Sequence, residues 1–309
     1  MYSSSSGAER PTTRDRPMRK ELRRQLTGYA FVSPWLVGFV VFTLYPFLAS
    51  IYFSLTRYDI VTPPRFVGLA NYRFLAHDAV MWHALLLTFE YALVAVPLGI
   101  VVGVAIALLL NVEVRGVGIY RTIFYLPSIV PTVASTLVFI WILNPQIGLV
   151  NDLLGLVGIV GPAWLKEPGW TFVSLVLMSL WGVGGSIVVY LAALKDIPFF
   201  LYEAAVIDGA GVLSRLRHVT LPLLSPVIFF NLVMGVISAF QYFTQAYMLQ
   251  DQLAPEEATR FYAVYLFERS WRYLDMGYAS AMAWVLFLVI VVVTGLIFRT
   301  HRRWVHYGS

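Results

Sequence analysis

Residues 203–222 read EAAVIDGAGVLSRLRHVTLP, and their reading decides how the rest of the chain is assigned. This is the one long polar interruption between apolar stretches that carries a helical amphipathic pattern. Ala204 and Ala205 favour helix, and their small side chains let another surface approach closely. Gly209 allows a tight bend between two short helical pieces. Arg215, Arg217 and His218 keep the second piece at a membrane surface, and Pro222 suits the first turn of a following helix, where its missing N–H costs little. On residue chemistry alone, a plain connector between membrane helices is the simpler reading.

Composition places that connector in a membrane protein. Of 309 residues, 59% are hydrophobic and 13% are charged, against about 25% charged in a soluble domain. There are no cysteines, which excludes disulfides, thiolate nucleophiles and cysteine metal sites. His77, His83, His218, His301 and His306 show no helical metal-site spacing, so no metal is expected. No basic run is interleaved with aromatics, so the net charge of +5 does not indicate nucleic acid.

Six apolar stretches are long enough to span a bilayer: 29–55, 84–110, 122–142, 170–193, 222–245 and 278–298. The polar start, 1–28, carries seven basic residues. The apolar stretch after it is too long for a signal peptide and lacks a small-residue cleavage site, which predicts a retained helix. Six spans put both termini on one side. The segments on that side hold fifteen of the 22 Lys and Arg residues, the others seven. The positive-inside rule therefore predicts that both termini and 203–222 are cytosolic.

Against this topology, the stretch resembles the EAA loop of permease subunits of ABC importers. Glu203-Ala204-Ala205, three residues, Gly209, nine residues, Val219, one residue and Leu221-Pro222 match its spacing, with Val219 where Ile is usual. Asp208-Gly209-Ala210 strengthens the match. Shorter stretches resemble the carbohydrate-importer branch in order: Phe66 to Tyr72, Leu126 to Pro131, Gly148 to Asn151, Leu191 to Pro198 and Met276 to Ala281. The loop Gln250 to Pro255 departs from that branch, which has a Thr and a Gly-Gly-Pro turn there. The resemblance covers about residues 29–307.

The resemblance implies an all-α, type I importer permease fold: six transmembrane helices and a cytosolic coupling loop. It divides the chain into a tail (1–28), a permease domain (29–298) with its coupling loop at 195–222, and a second tail (299–309). The setting implied is a bacterial or archaeal inner membrane, with lipid around the spans. Glu203, Ala204, Ala205, Asp208, Gly209, Leu221 and Pro222 would couple to an ABC ATPase dimer. Further partners implied are a second permease, an external solute-binding protein and a sugar. Solute contacts carried over by motif are Ser128, Thr132, Gly182, Gly235, Ala239 and Tyr242, with Gln241 and Gln245 beside them.

No G-x-x-x-x-G-K-[ST] phosphate loop is present, and none of the three lysines follows a glycine. ATP and Mg would therefore sit on the partner ATPase, with no cofactor on this chain. No nucleophile–base constellation stands out, so the chain is read as a non-enzyme. Gly182 to Gly185 and Gly99 to Gly103 read as helix packing or pore features. Glu90 is the charged residue well inside a span, about 9 Å from its outer end by the expected boundary. It would be central to the rival from another class, an ion-coupled secondary carrier. No Lys or Arg lies deep in a span, which favours a neutral sugar; glycerol-phosphate and polyol solutes are the runner-up.

Overall fold

A computed structural model describes residues 15–112, 114–252 and 254–306. Expectations that fall on 1–14, 253 and 307–309 lie outside the described residues. The chain divides into two units, residues 1–53 and 54–309.

The first unit is one long helix, charged at its start and apolar from Gln25 on. α1 (Asp15–Phe39) runs through a π turn (Val40–Leu44) into α2 (Tyr45–Ser54). The π turn precedes Pro46, which lacks an N–H and crowds the carbonyl four residues back. A wider turn re-spaces the backbone groups without ending the helix. Of the helix from Gln25 to Ser54, the apolar window has no buried residue.

In the second unit, a short antiparallel pair, β1 (Thr56–Arg57) and β2 (Arg65–Phe66), leads to α3 (Ala70–His77) and the long α4 (Ala79–Leu110). α4 starts five residues before the expected boundary at 84. Asp78 caps it, its Oδ1 accepting from the Val80 and Met81 amides at 3.0 and 3.2 Å. The cap thus starts the helix one turn ahead of His83, on the apolar residues Ala79 to Trp82.

The third expected span is α5 (Val117–Tyr125), a 3-10 turn (Leu126–Ile129) and α6 (Thr132–Ile142), bent by 99°. α7 (Leu149–Leu156) follows. The fourth is α8 (Pro168–Trp181) and α9 (Gly184–Lys195), bent by 49°. α10 (Phe199–Ile207) and α11 (Val212–Arg215) come next, and a π turn (Leu216–Thr220) joins α11 to α12 (Leu221–Phe240). Pro222 therefore does not open a new helix as expected. It sits in a helical run that begins at Val212, with a π turn before it as at Pro46.

α13 (Thr244–Gln252), α14 (Glu256–Thr259) and α15 (Tyr262–Phe267) lead through a third π turn to α16 (Met276–Thr300). α4 is the pillar on which α8, α9, α12 and α15 pack. One buried cluster around it includes Met81, Ala84, Leu175, Tyr262 and Met282, and another, toward its far end, includes Ala107, Tyr190, Leu194 and Leu224. The Gly99–Gly103 stretch is a close-packing site. A Cβ on Gly103 would lie 3.0 Å from the Tyr190 ring, and one on Gly99 3.9 Å from Val183.

Two knots tie the loops together. At one, the Gly277 amide donates to the Tyr58 carbonyl at 3.1 Å, and Asp78 Oδ2 accepts from the Tyr265 and Tyr278 hydroxyls at 2.7 and 2.6 Å. At the other, residues 301–306 return to α12. Segments 56–83 and 246–277 are thus gathered together, and 299–306 with the start of α12, the same grouping as in the basic-residue count.

Burial pushes the Asp78 carboxyl up, but the Tyr278 and Tyr265 hydroxyls and the Met81 and Val80 amides outweigh it, leaving it below the ordinary 3.8. A depressed folded-state value gives stability that is present above the ordinary value and lost as pH falls through the folded one. Asp78→Asn is therefore expected to lower the melting temperature of the purified protein at neutral pH. The gap to the native chain should close below about pH 4; a gap that persists unchanged in acid would contradict the assignment.

Candidate functional site

The Glu203–Pro222 loop is two helical pieces at an angle set by glycine. Pro198, in extended conformation, separates α9 from α10. α10 ends in a Schellman motif: the Gly209 amide donates to the Val206 carbonyl at 3.0 Å and the Ala210 amide to the Ala205 carbonyl at 2.8 Å. Gly209 has φ 78°, the left-handed conformation that this motif requires at its first non-helical residue and that L side chains resist. The helix–Gly–helix arrangement expected from sequence is present.

The loop leaves its apolar side chains uncovered. Phe199, Ile207, Val212 and Leu213 are 74%, 85%, 76% and 76% exposed, while Glu203, Ala204 and Asp208 are exposed and Ala205 is half-buried. An uncovered apolar face of this kind is one that a partner protein or the bilayer can cover. A cleft of about 550 Å³ runs beside α10, lined by Phe199, Tyr202, Glu203, Val206, Ile207 and Arg215. Another of about 330 Å³ lies across Tyr202 and Arg215, reaching Leu108 and Thr220. Between them the Tyr202 hydroxyl lies 3.1 Å from Thr220 Oγ1, so α10 is tied to the π turn that leads into α12. Sequence reasoning passed over Tyr202 and Thr220, because nothing in their spacing signals that the two pieces fold back on each other.

The residues assigned to a solute path divide into two sets. Ser128 belongs to the break in the third span, where its hydroxyl donates to the Tyr125 carbonyl at 2.7 Å. It faces the break in the fourth: a Cβ on Gly184 would lie 3.0 Å from Ser128 Oγ and 2.7 Å from the Phe124 carbonyl. Thr132 and Gly182 beside these breaks are exposed. Gly235, Ala239 and Tyr242 face α4 or its surroundings instead. A Cβ on Gly235 would lie 3.0 Å from Val96, Ala239 is buried, and the Tyr242 ring packs on Tyr91 and Phe261 at 4.4 and 5.3 Å. Gln241, at the end of α12, is exposed, and Gln245 is half-buried. Gly184, which closes the two bent spans together, lies within the Gly182 to Gly185 stretch read from sequence as a helix-packing or pore feature and not among the solute contacts.

Glu90 lies about 16 Å along α4 from its start, deeper than the expected boundary implied. It is exposed and lines a groove of about 290 Å³ with His83, Phe172 and Glu257.

The pattern of the binding-protein-dependent transport system inner membrane component matches residues 95–306. The chain belongs to this family. It is 42% identical over 299 residues to the probable ABC transporter permease protein YesP of Bacillus subtilis (strain 168), covering 96% of each chain. It is 32% identical over 294 residues to the lactose transport system permease protein LacF of Rhizobium radiobacter, covering 92% of this chain and 98% of that one. In fold it matches the crystal structure of a bacterial ABC transporter involved in import of the acidic polysaccharide alginate. There the TM-score is 0.80 at 23% identity, over 93% of this chain and 99% of that one. The chain is a non-catalytic permease subunit of an ABC importer with the type I fold.

The two bent spans meet closely at Gly184. Gly184→Ala forces a Cβ against the Phe124 carbonyl, an overpacking that costs roughly 1–3 kcal/mol. It is expected to lower the melting temperature of the purified protein, whereas Gly185→Ala, inside α9 with nothing within 4 Å, should leave it unchanged or raise it, since alanine favours helix. Equal melting of the two variants would refute the close contact.

Proposed function

We propose that this chain is one of two permeases of an ATP-driven, binding-protein-dependent sugar importer, and that its Glu203–Pro222 loop docks on a separate ATPase. The observation that carries the reading is the uncovered apolar face of the two-piece loop around Gly209. Family membership supports it, as does the sequence likeness to a relative named for lactose transport. The absence of Lys or Arg deep in the expected spans favours a neutral sugar over a sugar phosphate. Both termini and the loop face the cytosol, where ATP is; the knot around Asp78 faces out, toward the solute-binding protein.

Closure of the ATPase dimer moves α10, and its counterpart in the second permease, together. The push reaches the membrane by two routes: the backbone through Gly209, and the side-chain contact of Tyr202 with Thr220. α12 carries it to the breaks in the spans, and the path opens to one side and then the other. Ser128, Thr132 and Gly182 line the path beside the breaks, with Gln241 and Gln245; Gly235, Ala239 and Tyr242 shape it through their contacts on α4. Glu203 and Asp208 present carboxylates to the ATPase.

Gly209→Pro tests the reading, because proline fixes φ near −65° where the loop has 78°. Membrane insertion should persist while ATPase binding and uptake are lost. Native-like uptake and ATPase binding in this variant would sink the proposal. Uptake by the purified chain alone, abolished by Glu90→Gln, would instead favour an ion-coupled carrier.

A further inference from the structure

The segment after α16 turns back onto the helix that leaves the Glu203–Pro222 loop. Phe229 on α12, which is buried, is enclosed by Phe298, His301 and Trp304, with ring centroids at 5.0, 5.4 and 5.9 Å. The His306 amide donates to Ser225 Oγ at 2.9 Å. The Ser225 hydroxyl in turn donates to the Pro222 carbonyl at 2.6 Å.

That last bond has a reason in the sequence. The Pro222 carbonyl would normally receive the N–H of residue 226, but residue 226 is proline and has none. Ser225, buried beside it, supplies the missing donor, and its remaining lone pairs take the His306 amide. With Pro222 and Pro226 both in its first turns, α12 is weakest in backbone hydrogen bonds where the loop joins it. A helix so interrupted bends unless something outside it holds it. From Pro222 the connection runs back through Thr220 to Tyr202, one residue before Glu203.

We infer that residues 301–306 form a strap that sets the angle between the Glu203–Pro222 loop and α12, with Trp304 and Ser225 as positioning residues for coupling. The coupling part rests on the proposed function; the strap itself rests on the contacts with Phe229 and Ser225. Trp304 holds the segment against α12 by packing, and Ser225 joins it to the Pro222 carbonyl, which Pro226 leaves without a backbone donor. Neither side chain touches solute or nucleotide. Both determine how far a movement of α10 is carried into α12 instead of being absorbed at the proline hinge.

The absence of native cysteines makes the test direct. Spin labels are attached through Phe200→Cys on α10, outside the residues assigned to the docking face and its cleft, and Met234→Cys on α12, both exposed positions. The distance between them is measured by electron paramagnetic resonance in the full complex with its ATPase, first without nucleotide and then trapped with ATP and vanadate. The native background should give a narrow distribution that shifts on trapping. Trp304→Ala and Ser225→Ala should each broaden the nucleotide-free distribution and shrink the shift several-fold, with ATPase subunits still bound and ATP still hydrolysed. Trp304→Phe should restore the native pattern. Unchanged distributions in both alanine variants would overturn the inference, as would loss of the ATPase from folded variants, since a strap sets an angle and leaves the docking face in place. If Trp304→Ala fails to accumulate, Ser225→Ala, which removes one oxygen, decides alone. If the native chain binds no ATPase and shows no shift, the coupling reading fails, and the nucleotide-free distributions still test the strap.

Discussion

Every backbone N–H and C=O in a lipid-embedded segment needs a partner inside the protein, because hydrocarbon offers none. This chain places prolines and glycines inside its spans, and most of its shape follows from how the freed groups are satisfied. At Pro46 and Pro222 the helix widens into a π turn and continues. At Pro226 a serine hydroxyl replaces the missing donor to Pro222. At Pro127 the helix gives way to a 3-10 turn that ends before Pro131, and the Pro127 carbonyl, which Pro131 cannot serve, accepts from the Val130 amide at 3.3 Å. At Gly182 the chain closes α8 with amide bonds to the Ser179 and Leu180 carbonyls before starting α9. The first three positions keep the helical course; the last two bend it.

The bends produce the architecture around the transport path. α4, capped by Asp78, runs unbroken past Pro97 for 32 residues and serves as the fixed post. The two bent spans meet where Gly184 lets the Ser128 turn approach, and Gly235 brings α12 onto Val96 of α4. Small residues at these crossings allow the close packing that association in lipid depends on, where no hydrophobic driving force between helices is available.

The position of the apolar segments, four straight and two bent, the grouping of the loops and the helix–Gly–helix form of 203–222 were legible in the sequence, because each depends on local signals: apolar length, charge placement and a glycine at a helix end. The start of α4 was misplaced because His83 looks like a polar boundary, while the true signal was the cap at Asp78. The 99° bend at Ile129–Pro131 was not legible in size, since a proline marks a break but not its angle. Tyr202 with Thr220, Asp78 with Tyr265 and Tyr278, and the return of 301–306 to Ser225 are tertiary contacts between segments with no shared periodicity. For the residues carried over as solute contacts, direction was not readable: Gly235 approaches Val96 of α4 and Ala239 is buried, whereas Gln241, two residues after Ala239, is exposed at the end of the helix.

As a permease subunit of an ABC importer, the chain has a polar groove at Glu90 and His83 beside an otherwise apolar span, and an uncovered apolar face on a polar loop. Under the proposed function, that loop face is covered by an ATPase that supplies the energy for transport. The most direct measurement is purification of the tagged chain from its native membranes in mild detergent, with mass spectrometry of the proteins that accompany it. The account predicts an ATPase together with a second six-span permease. A chain that comes out alone and moves solute in liposomes without ATP would contradict it.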